Sequence, residues 1–236
     1  VSWSRLARYW PARYWPARCG PARSWLARHA RPHAWPAAVG LGLGLLALGP
    51  ALGRGFVLSY DLVFVPDPPI STADLGFTGG PARAVPSDLV VALAARVVPE
   101  EFVEKIILIL IFVLACSGAA ALLAAGWPER LGDGRLALLA RCVAGVFYAW
   151  NPFVAERLIM GQWALLLGYA GLPWVARELA GNGRQLNTSQ LSAGRLMLAT
   201  VPAAIGGFAA MSITALAAVP LAIGGGASWP DRARRT

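Results

Sequence analysis

Residues 105–127 read Lys105-Ile-Ile-Leu-Ile-Leu-Ile-Phe-Val-Leu-Ala-Cys-Ser-Gly-Ala-Ala-Ala-Leu-Leu-Ala-Ala-Gly-Trp127, and nothing after the lysine is charged. A run of more than about 18 apolar residues is long enough to cross the hydrocarbon core of a bilayer as a helix. A helix satisfies its backbone polar groups internally, which lipid demands. The composition agrees: 57% of the 236 residues are hydrophobic and 14% charged, against about 25% charged in a typical soluble domain. The predicted fold class is therefore all-α, a polytopic transmembrane helical protein.

Upstream, residues 37–60 form a first span with the core Val39-Gly-Leu-Gly-Leu-Gly-Leu-Leu-Ala-Leu48. Arg54 lies near its far end, where its long side chain can snorkel to the interface. Downstream, apolar runs at 136–150, 158–175 and 196–227 complete the pattern, giving about five spans of a transmembrane domain. Asn151-Pro152 separates two of them. Pro202, Gly206-Gly207 and Pro220 interrupt the last, which is either one tilted span or a broken hairpin. Between the first two spans lies a loop, 61–104, that holds Asp61, Asp67, Asp74, Asp88, Glu100, Glu101 and Glu104. Within it, Ser87 to Val98 has helical spacing of apolar residues, with Ser87 as a cap, and reads as an amphipathic helix on the membrane surface.

The flanks are basic. Residues 1–36 are expected to be a disordered cytoplasmic tail built on Arg-Tyr-Trp-Pro-Ala repeats. Arg8, Arg13, Arg18, Arg23 and Arg28 recur every five residues, a period of neither helix nor strand. Pro11, Pro16 and Pro21 would interrupt a helix. Its Arg and Trp side chains suit anionic headgroups; the alternative is a tract with no function. Residues 228–236 are a second basic tail. The positive-inside rule puts the N-terminus in the cytoplasm, loop 61–104 outside, Arg130 and Arg135 inside, 151–157 outside and Arg177 to Arg195 inside. The terminal Arg232, Arg234 and Arg235 obey it only if the last stretch crosses twice; otherwise the chain is a fragment.

The net charge of +9 comes from these flanks and loops, and no nucleic-acid recognition motif accompanies it, so no nucleic-acid partner is expected. Cys19, Cys116 and Cys142 form no metal-ligand spacing, and His29 and His33 both lie in the tail. That removes a His-based metal site and a Ser-His-Asp triad from the membrane part.

Two places carry candidate chemistry. Asp61 and Asp67 sit in Ser59-Tyr-Asp-Leu-Val-Phe-Val-Pro-Asp-Pro-Pro69, where the first span leaves the membrane. A carboxylate partly desolvated there could rise in pKa and serve as a general base. A solvated loop acid beside a helix end is the other reading. The second place is Trp150-Asn-Pro-Phe-Val-Ala-Glu-Arg157, followed by Met160-Gly-Gln-Trp163. Arg157 offers a bidentate fork to a phosphate, with Glu156, Asn151 and Gln162 beside it as further donor-binding candidates. The other reading is a turn at an Asn-Pro break, with Arg157 reaching headgroups and Trp163 in the aromatic belt.

The early span, the Asp61/Asp67 pair opening a large outside loop, and Tyr148-Ala-Trp-Asn-Pro-Phe-Val-Ala-Glu-Arg157 with Gly161-Gln-Trp-Ala-Leu-Leu-Leu-Gly-Tyr169 resemble the N-terminal part of actinobacterial multi-span proteins. Those look like membrane-embedded glycosyltransferases of the GT-C class. The resemblance implies a catalytic aspartate in the first outside loop and a polyprenyl-phosphate sugar as donor. It makes Asp61 the base that activates an acceptor hydroxyl, with Asp67 as second candidate. The expected function is transfer of a sugar to a cell-envelope glycan at the outer face of the plasma membrane. The alternative is a non-catalytic integral membrane protein, a transporter subunit or assembly partner. A divalent metal is compatible with the reading but not implied, since no ligand cluster stands out.

Overall fold

The computed structural model describes residues 20–72, 74–77, 85–126, 134–182 and 189–224. The repeat tract up to Cys19, the loop with Arg130, the stretch with Arg184 and the tail 228–236 lie outside the described residues. The chain divides into two units, Val1–Pro32 and His33–Thr236. The first is helical from Gly20, within the tract expected to be disordered. The core, the apolar helices and the clefts all belong to the second.

Among the described residues the architecture is all-helical: α1 (Gly20–Leu48), α2 (Ser87–Ala95), α3 (Glu100–Gly126), α4 (Arg135–Ala149), α5 (Pro152–Ile159), α6 (Trp163–Asn182), α7 (Ser189–Ile205) and α8 (Gly207–Gly224). A 3-10 turn, Gly49–Leu52, extends α1. Among the described residues two helices are long and apolar enough to cross a membrane, Ala34–Leu52 and Glu100–Gly126. A third span results if α4 and α5, bent by 42° at Trp150-Asn151, count as one. This is fewer than the about five expected from apolar runs. α6 carries Arg177 and Glu178 in its last turns, and α7 and α8 are short apolar helices separated at Gly206. The run beginning at Leu158 is also not one helix, because the chain breaks at Met160–Gln162 between α5 and α6.

The uninterrupted run quoted above becomes the hub. Leu108, Ile111, Phe112, Ala115 and Cys116 of α3 are buried, together with Leu166, Leu167 and Ala170 of α6. Small residues permit close packing, as they do between helices in lipid. A Cβ on Gly40 would come within 2.7 Å of Phe112 O, and one on Gly118 within 2.6 Å of Trp174 Nε1. α7 and α8 pack against α6, where Pro202 meets Gly171 and Ala210 meets Gly168. The break between them was legible as a glycine pair: Gly207 has φ +75°, a conformation that favours glycine.

The acidic start of α3 ties down the loop that follows α1. Both carboxylate oxygens of Glu104, a fully buried residue, accept the Val57 N–H, at 3.0 and 3.2 Å. Glu101 Oε2 accepts the Gly55 N–H at 2.8 Å, and Glu100 Oε1 the Asp67 N–H at 3.1 Å. Lys105 Nζ donates to Gly53 O and lies 3.6 Å from Glu101. These charges hold backbone in place, and none of the four lines either cleft described below.

Ser87 is the first residue of α2 and stands one position after the cap; Pro86 occupies the N-cap and makes no side-chain cap bond. Its Ser87, Val91 and Ala92 are buried, while Leu93 and Val97 just beyond the helix are exposed.

Candidate functional site

Asp61 is positioned by a tight turn. The Leu62 N–H donates to Ser59 O at 2.7 Å, and Ser59 N–H to Leu62 O at 3.3 Å. Tyr60, between them, has φ +41°. Leu62 and Phe64 are buried and anchor the segment, Phe64 against Trp163 with ring centroids 5.5 Å apart. Alternation along an extended segment sends neighbours to opposite sides, so Asp61 and Val63 are exposed where Leu62 and Phe64 are not.

This turn docks on the break between α5 and α6. The Asp61 N–H donates to Met160 O at 3.1 Å, and Ser59 Oγ donates to Ile159 O. Gly161 makes the docking possible. It has φ +73°, and a Cβ there would collide with Ser59 O and Leu62 N. Two segments about 100 residues apart, Ser59–Leu62 and Ile159–Trp163, thereby form one wall.

Two clefts flank that wall. The larger, about 630 Å³, is lined by Asp61, Asp74, Ser87, Asp88, Gln162 and Trp163, among others. The smaller, about 420 Å³, is lined by Tyr60, Asp61, Glu156, Ile159, Met160 and Gln162. Asp61 and Gln162 line both. Asp61 is exposed rather than sunk into apolar surroundings. Its partnership is not limited to the backbone bond above.

Arg157 stands behind this wall. Its NH1 donates to Gln162 Oε1 at 2.8 Å, its NH2 lies 3.8 Å from Glu156, and its guanidinium sits 5.5 Å from the Phe153 ring centroid. The Gln162 N–H in turn donates to Arg157 O at 2.9 Å. Asn151 acts elsewhere. Its Oδ1 caps α5 by accepting the Val154 N–H at 3.1 Å, and its Nδ2 donates to Tyr148 O and to the Tyr169 hydroxyl. Tyr148 and Tyr169 stack at 4.4 Å and each bonds the other's carbonyl, which ties the end of α4 to α6. Asp67, with φ +54°, lines neither cleft.

The structure thus brings together Asp61, Glu156 and Gln162 from the expected set, with Arg157 bonded to the wall. It leaves Asp67 and Asn151 outside the cleft linings. It adds Asp74 and Asp88, which sequence reasoning placed only among the loop acids. Asp74 Oδ2 accepts from both the N–H and the Oγ of Ser71, at 2.6 and 2.9 Å. Partial burial raises the Asp88 carboxyl above the ordinary carboxylate value, and the nearby Asp74 charge adds to the shift. The only hint in the sequence was a serine-aspartate pair opening an apolar helix. Among the described residues no three His, Cys, Asp or Glu side chains converge as metal ligands. No family model matches the chain, and neither a curated protein nor a solved structure does.

Proposed function

We propose that this chain is a membrane-embedded glycosyltransferase, or the N-terminal part of one. It transfers a sugar from a polyprenyl-phosphate donor to a cell-envelope glycan at the outer face of the cytoplasmic membrane. One observation carries the reading: Asp61 stands on a wall shared by two clefts, beside helices long and apolar enough to lie in lipid. A reaction between a lipid-borne donor and a water-soluble acceptor needs a base within reach of both.

In this reading the cytoplasmic N-terminus follows the positive-inside rule, and α2 lies on the outer surface with Leu93 and Val97 toward lipid. The acceptor enters the larger cleft. The prenyl chain lies along Tyr60, Ile159 and Met160, with its phosphate near Gln162 and Arg157. Asp61 takes the proton of the acceptor hydroxyl. The oxygen attacks the anomeric carbon as the bond from that carbon to the phosphate oxygen breaks, and the electron pair leaves with the polyprenyl phosphate. Configuration is inverted.

Asp61→Asn tests this directly. The protein is reconstituted in vesicles with a radiolabelled polyprenyl-phosphate sugar and a cell-envelope glycan acceptor. Transfer by the native protein and its loss in Asp61→Asn, with membrane insertion intact, are expected. Transfer unchanged by the substitution removes Asp61 from the mechanism. No transfer by the native protein favours the non-catalytic alternative.

A further inference from the structure

Arg157 and Gln162 were grouped above as neighbours of the donor phosphate, but the geometry separates their roles. A guanidinium has five N–H donors and no acceptor. Its 2.8 Å contact with Gln162 therefore requires the amide oxygen of Gln162 to face Arg157. The amide NH2 then stands on the opposite side of the same planar group. The Gln162 carboxamide is held by this contact, and the backbone N–H of Gln162 donates to Arg157 O, which keeps the two residues together. Arg157 is itself held between the Phe153 ring and Glu156. Gln162 lines both clefts, whereas Arg157 lines neither.

We infer that the Gln162 carboxamide is a fixed hydrogen-bond donor to an anionic phosphate oxygen at the Asp61 wall, and that Arg157 is the positioning residue that sets its orientation. The inference rests on the proposed donor, a prenyl phosphate. An amide donor already aimed at the place of the ligand needs no reorganisation when charge collects on the departing phosphate. Contact with the arginine also polarises the amide, since bonds in a chain strengthen one another.

The discriminating substitution is Gln162→Glu. A glutamate keeps the contact with Arg157, now as an ion pair, but replaces the NH2 donors with a second carboxylate oxygen. Gln162→Leu removes both. Equilibrium binding of farnesyl phosphate is measured with the full chain in lipid nanodiscs, alongside the thermal midpoint. We expect Gln162→Glu and Gln162→Leu each to weaken binding at least tenfold, with the midpoint of Gln162→Glu unchanged. Arg157→Lys, which keeps the positive charge but loses the fork, should weaken binding less than Gln162→Glu. Native affinity in Gln162→Glu, with loss only in Gln162→Leu, would show that Gln162 merely packs and overturns the inference. Loss in Arg157→Lys with none in Gln162→Glu makes Arg157 the phosphate ligand and also overturns it. A native protein that does not bind farnesyl phosphate overturns the proposed donor itself, and the ligand assigned to Gln162 falls with it.

Discussion

The start of α3 and the Asp61 wall are both rich in acid, and they use it differently. At the start of α3, Glu100, Glu101 and Glu104 each accept a backbone N–H from the loop after α1, and Lys105 closes the group onto Gly53 O. At the wall, Asp61, Asp74 and Asp88 line open space. A buried carboxylate must be hydrogen-bonded to be tolerated, and Glu104 is buried on its bonds to Val57. The partly exposed Glu100 and Glu101 tie down the same loop, so the first group is scaffold. An acid lining a cleft is under no such demand. Both regions are built on carboxylates, and what separates them is where those carboxylates are spent.

The sharpest way to break this comparison is at Gly161, since the wall exists only while Ser59–Leu62 lies against that glycine. Gly161→Ala introduces a Cβ into Ser59 O and Leu62 N at a positive φ. Strain at φ above zero and overpacking together should cost about 3 kcal/mol or more. Denaturant titration in detergent micelles checks this. A variant as stable as the native protein would mean that the two segments are not in contact.

Glu104 gives the next largest effect and tests the scaffold side. Glu104→Ala strands the Val57 N–H and should cost about 1–3 kcal/mol. Glu104→Gln keeps one acceptor oxygen and should cost less. The same titration reads both, and equal losses would show that the carboxylate charge, which both substitutions remove, and not an acceptor for Val57, is what Glu104 supplies.

Asp61→Asn should sit at the other extreme. Asp61 is exposed, and substitutions at such positions usually change stability by no more than about 0.5 kcal/mol. The expected result is abolished transfer with an unchanged unfolding midpoint. A large loss of stability would place Asp61 with the scaffold acids instead.

The sequence made some of this legible and hid the rest for definite reasons. The run 105–127 announced a long apolar helix because nothing interrupts it, and Asn151-Pro152 and Gly206-Gly207 marked breaks through local backbone chemistry. The break at Met160–Gln162 was invisible, because a turn about 100 residues away fixes it. Asp61 and Gln162 were nominated from separate local patterns, and the docking at Gly161 is what puts them on one wall. Asp67 was the second candidate after Asp61, yet its N–H is held by Glu100 and it lines neither cleft. Asn151 looked available for a ligand, yet the start of α5 consumes its oxygen. The count of about five spans goes beyond the two or three helices long and apolar enough to cross a membrane among the described residues, because α7 and α8 are apolar but short.

The smallest effect tests the cleft side by pH. Asp88 has a raised pKa because partial burial, and then the charge of Asp74, disfavour its ionised form. Such a group favours the folded state while protonated. That contribution is whole below the unfolded carboxylate pKa of about 3.9 and is lost as pH rises through the higher folded value. Asp88→Asn removes the penalty, so it should stabilise the protein near neutral pH and leave it unchanged at the acid end. Although its carboxyl is partly desolvated, Asp88 as a whole stays open to solvent, so screening keeps the gain small, under about 0.5 kcal/mol. Unfolding midpoints of the native protein and Asp88→Asn, followed across pH 3 to 7, give the answer. Curves that diverge as pH rises mark Asp88 as an uncompensated acid of the cleft. Curves that stay parallel would mean that, like the glutamates of α3, its charge is already balanced by the fold.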